Sequence, residues 1–527
     1  MRILVADKLA EAGVAALSEH HDVDVKTGMS KDELLSVVDV YDGVVVRSAT
    51  TIDADVIAAA TNLKVIARAG VGLDNVDVEA ATRHGVIVCN APQSNVISAA
   101  EHTVALICAL ARNIPQAHTA LIDGRWERSA WQGMELYGKT LGVLGLGRIG
   151  TLVAQRCSAF GMKLVAYDPY VAPERAARQG VTLLETVDEV LEVADVLTIH
   201  LPRTPDTIGL IDADALKRMK TSARVVNVAR GGIVDEAALA AGLQAGDIAG
   251  AALDVFDSEP TTESPLFGLS NVIVTPHLGA STEEAQTKAG TQVAEAVNLA
   301  LAGEFVPTAV NVQGGQVPDV IRPFLPLGEK LGRLFTSLSD EGTSGDVTIE
   351  FHGAIAEADC RVLALSVLRG MLAAVCHEPV TFVNAPLLAE ERGFSIREIS
   401  EPTSADYVSL VRVAGTGRDG EALSVAGTVF QPGDRERLVE VWGSAIDVDP
   451  AAHMAFFRYE DQPGVIGAVG MGFGEAGVNI ASAQVGRHAA GGTAVMALAL
   501  DDAVSREVLD GLSTSIGAID ARAVDLV

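Results

Sequence analysis

Short apolar runs alternate with helix-like segments from residue 3 to residue 301 of the 527-residue chain. Many of the runs are apolar throughout instead of alternating with polar residues, which is typical of parallel strands that helices cover on both faces. Two such series follow one another, and each predicts a doubly wound α/β domain. The predicted strands are 3–6, 43–46, 63–67 and 85–88 in the first series and 140–144, 163–167, 196–201, 225–228, 250–254 and 272–276 in the second.

Two long helical patterns border these series. The segment 98–111 follows the first series, and we predict Ser98 as its N-cap because Glu101 would complete a capping box. The segment 281–301 has no later strand in its own series, so we expect it to pack back on the first domain. The predicted division is a discontinuous first domain of residues 1–97 with 285–312, and a second domain of residues 98–284.

The pattern changes after residue 312. Glycines and prolines between 313 and 326 are typical of a linker, and the strands that follow are isolated and paired. Residues 313–450 are therefore predicted to form an α+β domain. From residue 453 the order is strand, helix, strand, strand, helix, strand, which predicts a ferredoxin-like domain over residues 451–527.

Composition and charge exclude several classes of protein. With 49% hydrophobic and 20% charged residues, the chain has enough apolar material for packed cores. Its net charge of −30 argues against nucleic acid or anionic membrane surfaces as partners. We find no signal peptide and no apolar run near the roughly 20 residues of a membrane span, so we expect a cytoplasmic protein. Five scattered cysteines indicate neither disulfides nor a metal site: Cys89, Cys108, Cys157, Cys360 and Cys376.

A glycine-rich turn follows the first strand of the second series. Gly145, Gly147 and Gly150 stand in a G-x-G-x-x-G pattern between a predicted strand and a helix. Such a turn lets backbone amides and a helix N-terminus hold a pyrophosphate. Asp168 ends the next strand, where a carboxylate binds ribose hydroxyls and would repel a 2′-phosphate. The turn therefore predicts NAD rather than NADP as cofactor.

Three chemically distinct side chains follow strands at the same expected edge of the second sheet. Arg230 is a bidentate partner for a carboxylate, His277 is a base suited to neutral pH, and Glu259 would favour the protonated form of an imidazole. Ligands of doubly wound sheets bind at the carboxyl ends of the strands. Together with a hydride acceptor, these groups predict the oxidation of an alcohol.

Six segments carry a family resemblance: 46–50, 68–75, 90–95, 145–150, 227–236 and 276–282. They resemble the D-isomer-specific 2-hydroxyacid dehydrogenases, and over its whole length the chain is similar to the long-form D-3-phosphoglycerate dehydrogenases of that family. The resemblance implies that Arg230 binds substrate, Glu259 tunes His277, and His277 is the acid/base. Leu201 stands where some relatives have a hydroxyl residue. The implied contacts with NAD are Val71, Arg148, Ile149, Asp168, Leu201, Val228, Ala229, Arg230, Asp254, His277, Leu278, Gly279 and Ala280.

The implied substrate is 3-phospho-D-glycerate, which would be oxidised to 3-phosphooxypyruvate in the first step of L-serine synthesis. Because the net charge of the chain opposes an anion, a local cluster of cations must hold it. The resemblance places Arg47, Ser48 and Arg68 at strand ends facing the cleft, beside Gly70, and Asn95 would add a neutral hydrogen bond.

The region beyond residue 312 implies regulation. The last segment resembles an ACT domain, a module that binds small amino acids, with L-serine as the implied effector held by Tyr459, Asp461 and Asn479. A purely structural dimerisation module is the alternative. Residues 315–450 resemble the intervening domain of the long forms, where Arg435 and Arg437 are either an anion site or solvated surface charges. The family and the ACT-like segment imply a homo-oligomer, a dimer or a tetramer.

Two further functions remain open at this stage. One is another D-2-hydroxyacid dehydrogenase, such as a glyoxylate or hydroxypyruvate reductase, which the ACT-like segment disfavours. The other is an NAD-sensing binding protein like the corepressors built on this fold, because fold alone does not establish turnover. An assay of NADH formation from 3-phosphoglycerate separates all three.

Overall fold

The computed structural model describes residues 1–312, 317–338, 343–376, 380–417, 420–487 and 492–526. Its first sheet is parallel, with strand order β2-β1-β3-β4-β5. Strand β2 was not predicted, because it is a short edge strand in which aspartates alternate with valines. The elements are β1 (Arg2–Val5), α1 (Glu11–Ser18), β2 (Asp22–Val25), α2 (Lys31–Leu35), β3 (Gly43–Val46), α3 (Ala54–Ala59), β4 (Val65–Arg68), α4 (Val78–Arg83) and β5 (Ile87–Asn90).

Helices α5 (Val96–Arg112) and α6 (Ile114–Ile122) lead from the first sheet to the second. The predicted N-cap of α5 is wrong: the helix starts two residues before Ser98, with Asn95 at the N-cap position and no side-chain cap. The hydroxyl of Ser98 instead shares a hydrogen bond with the Thr282 hydroxyl, 2.8 Å away. A tertiary contact therefore uses the side chain that the local pattern assigned to a cap.

The second sheet is parallel and has seven strands in the order β12-β11-β10-β9-β6-β7-β8. Six of them were predicted, and the seventh, β8, has only two residues. The elements are β6 (Thr140–Leu144), α7 (Arg148–Ser158), β7 (Lys163–Tyr167), α8 (Pro173–Arg178), β8 (Thr182–Leu183), α9 (Val187–Val193), β9 (Val196–Ile199), α10 (Ala213–Arg218), β10 (Arg224–Asn227), α11 (Glu236–Ala245), β11 (Gly250–Leu253) and β12 (Val272–Val274).

Helix α12 (Glu283–Leu301) packs on the first sheet, as predicted. Its buried residues Ala289, Val293 and Val297 share a core with Val45 and Val65. The Thr282 hydroxyl caps the helix by accepting a hydrogen bond from the Ala285 amide. The chain therefore returns to the first sheet after it has completed the second, and the start of α12 connects the two sheets.

The third sheet is mixed, in the order β14-β13-β15-β16-β17-β18, and only its β13–β14 pair is parallel. Helices α13 and α14 pack on one of its faces. The elements are α13 (Leu325–Ser337), β13 (Thr343–Gly353), α14 (Arg361–Ala373), α15 (Ala385–Glu391), β14 (Ser395–Glu401), β15 (Ser409–Gly417), β16 (Ala422–Phe430), β17 (Arg435–Val441) and β18 (Ser444–Val448).

The fourth sheet is antiparallel in the order β20-β21-β19-β22, the ferredoxin-like arrangement. One face carries the helices, and the other, through Met454 and Phe456, shares a core with Val441 and Ile446 of the third sheet. The fold class of two doubly wound domains, an α+β domain and a ferredoxin-like domain is confirmed. The elements are β19 (His453–Glu460), α16 (Val465–Glu475), β20 (Ile480–Arg487), β21 (Thr493–Leu500), α17 (Arg506–Ile516) and β22 (Asp520–Asp525).

Among the residues that the structure describes, none of the helices combines the length and the apolar character that crossing a membrane would require.

Candidate functional site

The glycine turn between β6 and α7 has the shape of a phosphate cradle. Gly145 has φ +90°, and a Cβ there would lie 2.6 Å from the carbonyl oxygen of His200. A Cβ on Gly150 would lie 2.1 Å from the Gly145 oxygen, so the helix approaches the strand as closely as glycine permits. A Cβ on Gly147 would meet nothing within 4 Å, which leaves open space before the N-terminus of α7. The chain therefore keeps clear the place where a pyrophosphate would accept amide hydrogen bonds.

Asp168 is tied to this turn from the end of β7. One carboxylate oxygen accepts a hydrogen bond from the Leu146 amide at 2.8 Å, and the other accepts from the Tyr170 amide at 2.9 Å. Each oxygen keeps a further lone pair for a hydroxyl. Arg148 is exposed at the start of α7, whereas Leu201 is half-buried against Gly145 and offers only apolar contact. The donors and acceptors present fit the adenosine ribose and pyrophosphate of NAD.

The carboxylate of Asp254 organises the loop that follows β12. It is fully buried and accepts hydrogen bonds from the Leu278 amide at 2.7 Å and the Gly279 amide at 2.8 Å. The Thr275 hydroxyl donates to it at 2.6 Å. Burial acts to raise the pKa of Asp254, but hydrogen bonds, that from His102 foremost, hold this pKa below its usual value. Asp254 therefore shapes the loop that includes Leu278, Gly279 and Ala280.

His277 and Glu259 form a close pair. The Nδ1 atom of His277 lies 2.5 Å from Oε2 of Glu259, and the other carboxylate oxygen accepts from the Phe256 amide at 2.9 Å. Burial acts to raise the pKa of Glu259, but the hydrogen bonds from His277 and Phe256 hold it below its usual value. Half of the His277 side chain is exposed. Its Nε2 is therefore the ring nitrogen left for a substrate.

A second histidine at the same sheet edge is unsuited to this work. His200 follows β9, and burial lowers its pKa to about 4. Its Nε2 shares a hydrogen bond with the Thr198 hydroxyl at 2.9 Å. The imidazole of His200 is therefore neutral and committed to its own strand.

Arg230 lies where the two doubly wound sheets meet. The turn that presents it is fixed by Asn227, whose side chain accepts from the Ala229 amide at 3.0 Å and donates to the Arg230 carbonyl at 2.8 Å. A Cβ on Gly72, in the loop after β4, would lie 2.7 Å from Nη2 of Arg230. The nearest carboxylate is that of Asp74, at 3.9 Å from Nε. A residue of the second sheet therefore packs on a loop of the first.

Arg68 and Arg47 bring further positive charge to this cleft. Burial lowers the pKa of Arg68, and the charges of Arg230 and Arg47 lower it further. The Nε of Arg68 is buried without a hydrogen-bond partner, and within the described residues neither Arg68 nor Arg47 has an ion pair. The backbone around Arg47 is held by Asp7, whose carboxylate accepts from the Arg47 amide at 2.6 Å. Three guanidinium groups therefore converge, and within the described residues their one ion pair is the 3.9 Å contact of Arg230 with Asp74.

A narrow cavity joins the first sheet to the start of α12. Arg47, Gly70 and Asn95 line it, and the Oδ1 of Asn95 is buried without a partner. Ser48 is exposed beside it, and the carbonyl of Val71 accepts from Asn90 at 2.6 Å. The cavity thus brings together Arg47, Gly70 and Asn95 of the residues predicted for substrate, whereas Ser48 and Arg68 do not line it. It adds lining residues that the sequence did not single out: Lys8, Gln286, Ser94 and the apolar Leu9, Ala10, Ala69, Ala285 and Ala289. Ala280, which the resemblance implies as a contact with NAD, lines the same cavity.

The predicted effector residues do not all meet. Tyr459 and Asp461 line one pocket at the end of β19, where Asp461 also accepts from Arg487 at 2.7 Å. Asn479 precedes β20 and donates to Asp501, which follows β21, at 2.7 Å. Because β20 and β21 run antiparallel, Asn479 lies at the opposite end of the sheet from Asp461. One small molecule cannot touch both within one chain.

Of the two alternatives for the arginines of the intervening region, the anion site is contradicted for Arg437. Its guanidinium pairs with Asp447 at 2.8 Å and Asp449 at 2.7 Å, so two carboxylates already occupy it. Arg435 is exposed at the start of β17. Arg437 thus forms ion pairs with carboxylates on and just after the neighbouring strand β18. The linear sequence does not reveal this pairing of strands.

Comparisons with known proteins agree with this architecture. The model of the D-isomer specific 2-hydroxyacid dehydrogenase NAD binding domain matches residues 104–279, that of the D-3-phosphoglycerate dehydrogenase intervening domain matches 320–442, and that of the ACT domain matches 453–512. A D-3-phosphoglycerate dehydrogenase of Mycobacterium bovis is 49% identical over 99% of both chains, and one of Bacillus subtilis is 40% identical over 100% of this chain and 99% of its own. A solved Thermus thermophilus protein is 36% identical with a TM-score of 0.55, covering 59% of this chain and all of its own.

Proposed function

Because the chain belongs to the D-3-phosphoglycerate dehydrogenase family, we propose that it oxidises 3-phospho-D-glycerate to 3-phosphooxypyruvate. It is an NAD-dependent enzyme. We propose four domains: a substrate-binding domain (1–97 with 285–312), an NAD-binding domain (98–284), an intervening domain (313–450) and a regulatory domain (451–527). The observation that supports the reaction is the convergence of Arg230, Arg68 and Arg47 around one cleft, where the one ion pair of these arginines within the described residues is the 3.9 Å contact of Arg230 with Asp74.

The substrate is an anion at both ends, with a carboxylate beside the reacting C2 and a phosphate on C3. Arg230 holds the carboxylate and aligns C2, since a guanidinium binds a carboxylate through two parallel hydrogen bonds. Arg47 and Arg68 hold the phosphate, with Ser48, Gly70 and Asn95 around it. Lys8 lines the same cavity and adds a fourth positive charge.

The acid/base step belongs to His277. Its Nε2 takes the proton of the C2 hydroxyl, and the Glu259 carboxylate stabilises the imidazolium that forms. When bound, NAD supplies the carbon that accepts the hydride from C2. The products are then the C2 ketone, NADH and one proton, which His277 releases to solvent. The open turn at Gly147 and the carboxylate of Asp168 would hold the cofactor, with Val71, Arg148, Ile149, Val228 and Ala229 around it.

The test is a turnover assay of the purified protein. We expect NADH formation from 3-phosphoglycerate, followed by absorbance at 340 nm, and little activity with unphosphorylated glycerate or lactate. Turnover of unphosphorylated hydroxy acids alone would indicate a different D-2-hydroxyacid dehydrogenase. NAD binding with no turnover of any of these acids would indicate a sensor.

The ACT domain would bind an amino-acid effector, for which we propose L-serine, the end product of the pathway. Tyr459 and Asp461 line a pocket of the size class that small ligands use, and Asp461 is an acceptor for an ammonium group. A molecule that contacts both Asp461 and Asn479 must lie between two copies of the chain, because one chain separates them. Titration of activity with serine, with D-serine as the control, tests this proposal.

We also propose a homo-oligomer. Large apolar side chains are exposed together on α6 and just after it, with Ile122 70% and Trp126 78% exposed. Large exposed apolar patches mark protein interfaces, and we propose that these side chains belong to one. Light scattering of the purified protein would show a dimer or tetramer, and a monomer at micromolar concentration would contradict the proposal.

A further inference from the structure

We propose that His102 is a positioning residue for the reaction: through Asp254 it holds the loop that carries His277. His102 lies on α5, outside the sheet edge that supplies Arg230, Glu259 and His277. The expected fall in kcat when His102 is replaced rests on the proposed function, whereas the expected loosening of the loop does not.

The position of His277 depends on Asp254. The backbone amide of His277 donates to the Asp254 carbonyl at 2.8 Å, and the next two amides donate to the Asp254 carboxylate. His277 itself has φ +55°, a left-handed conformation that a residue with a side chain adopts only when its surroundings hold it there. Loss of the Asp254 contacts would therefore release the backbone that aims the imidazole.

The Asp254 carboxylate in turn depends on His102. A fully buried carboxylate is costly unless charged or polar groups compensate it. Within the described part of the chain, the ion-pair partner of Asp254 is His102, whose Nε2 lies 3.3 Å from Oδ1. The same Nε2 lies 3.2 Å from the Thr275 hydroxyl, which also bonds to Oδ1. His102, Thr275 and Asp254 thus form one closed cluster beneath the loop.

Helix α5 touches this loop at a second point. Ser98 lies one helical turn before His102, on the same face, and shares a hydrogen bond with Thr282 at the far end of the loop. Ala99, between Ser98 and His102 in the sequence, also lies close to the loop: a Cβ built on Gly279 would be 3.9 Å from the Cα of Ala99. Asn95, at the N-cap position of the same helix, lines the substrate cavity. One helix therefore connects the substrate cavity to the loop of His277.

The test compares His102→Leu, which removes the polar contact, with His102→Gln, whose amide reaches the position of Nε2. We expect kcat of His102→Leu to fall about 10- to 100-fold, since a displacement of roughly 1 Å at a reacting group costs that much. KM for 3-phosphoglycerate should stay within about threefold of wild type, and His102→Gln should recover most of kcat. His453→Leu, which removes a similar histidine–aspartate contact (2.7 Å, with Asp525) far from the cleft, is the matched control and should leave kcat unchanged.

Hydrogen exchange of the cofactor-free protein gives a readout that needs no substrate. The amides of Leu278 and Gly279 should exchange faster in His102→Leu than in wild type or His102→Gln, with an unchanged rate in β6. The proposal would be overturned if His102→Leu changed neither the exchange rates nor kcat. It would also be overturned if kcat fell equally in His102→Leu and His102→Gln. If His102→Leu does not fold, Thr275→Val replaces it and should show the same faster exchange. If exchange were faster in His102→Leu but the wild type did not turn over 3-phosphoglycerate, the role of His102 in holding the loop would be supported and the proposed reaction refuted.

Discussion

Replacement of Glu259 by glutamine removes the negative charge of this residue and keeps its size and shape. Both oxygens of Glu259 accept a hydrogen bond, one from the Phe256 amide at 2.9 Å and one from Nδ1 of His277 at 2.5 Å. Glutamine has only one oxygen. Since the Phe256 donor is a backbone amide that cannot reverse its role, the glutamine oxygen is expected to face Phe256 and its NH2 group to face His277.

That orientation changes the tautomer of the base. An NH2 group facing Nδ1 requires Nδ1 to accept, so the neutral ring carries its proton on Nε2 and cannot take the proton of the substrate hydroxyl. Loss of a general base costs roughly 10²- to 10⁴-fold in rate, and enforcement of the wrong histidine tautomer in a serine protease falls in the same range. We expect kcat of Glu259→Gln to fall by about 10³-fold, with KM for 3-phosphoglycerate changed by less than about threefold.

Steady-state NADH formation at saturating NAD measures both constants, and Glu259→Asp, which keeps the charge, is the matched variant. Stability gives a second readout. The pKa of Glu259 is lowered in the folded protein, so ionised Glu259 stabilises the wild type above its ordinary pKa, and this stabilisation is lost as pH falls through the lowered value. The Tm of the wild type should therefore fall in this acidic range partly through Glu259, and the Tm of Glu259→Gln should fall less there. A kcat within about threefold of wild type would refute the tautomer argument.

Three further variants test other parts of the site. Arg47→Ala and Arg68→Ala should each raise KM for 3-phosphoglycerate about 10- to 100-fold in the turnover assay while Kd for NAD, from fluorescence titration, stays unchanged. Gly150→Ala places a Cβ 2.1 Å from a backbone oxygen and should lower Tm, whereas Gly147→Ala meets no protein atom within 4 Å and should weaken NAD binding at unchanged Tm. Asp461→Ala should abolish inhibition by serine in the same assay and leave kcat unchanged; persistent inhibition at the wild-type concentration would exclude this pocket.

The parts of the site that the sequence predicted are those fixed by local geometry. Gly145, Gly150 and Asp168 belong to one strand–turn–helix unit, so their spacing alone specifies the turn, and the confirmed fold class follows from such units repeated along the chain. Arg230 and His277 could be placed because the carboxyl ends of parallel strands share one edge.

The parts that the sequence missed depend on contacts between distant elements. His102 reads as one polar residue on an apolar helix, and only the packing of α5 beneath the loop gives it a partner. Lys8 follows a strand as many lysines do, and its place in the cavity depends on α12 returning to the first sheet. Asp461 and Asn479 are each near a helix end, but they lie at opposite ends of the sheet because β20 and β21 pair antiparallel, and this pairing is a property of the assembled sheet.

The charge of the chain and the charge of its cleft have opposite signs, and this opposition determines how an anion can bind. A net charge of −30 repels a phosphate ester over long distances, and salt screens that repulsion beyond about 8 Å at physiological ionic strength. At short range Arg230, Arg68 and Arg47 repel one another; burial is the main cause of the lowered pKa of Arg68, and the charges of Arg230 and Arg47 add to it. A substrate with a carboxylate and a phosphate relieves this repulsion, because it brings more negative charge to the three arginines than the single ion pair with Asp74 supplies. Binding should therefore weaken less with added salt than the number of contacts suggests, since screening reduces the repulsion by the whole chain together with the attraction by the cleft.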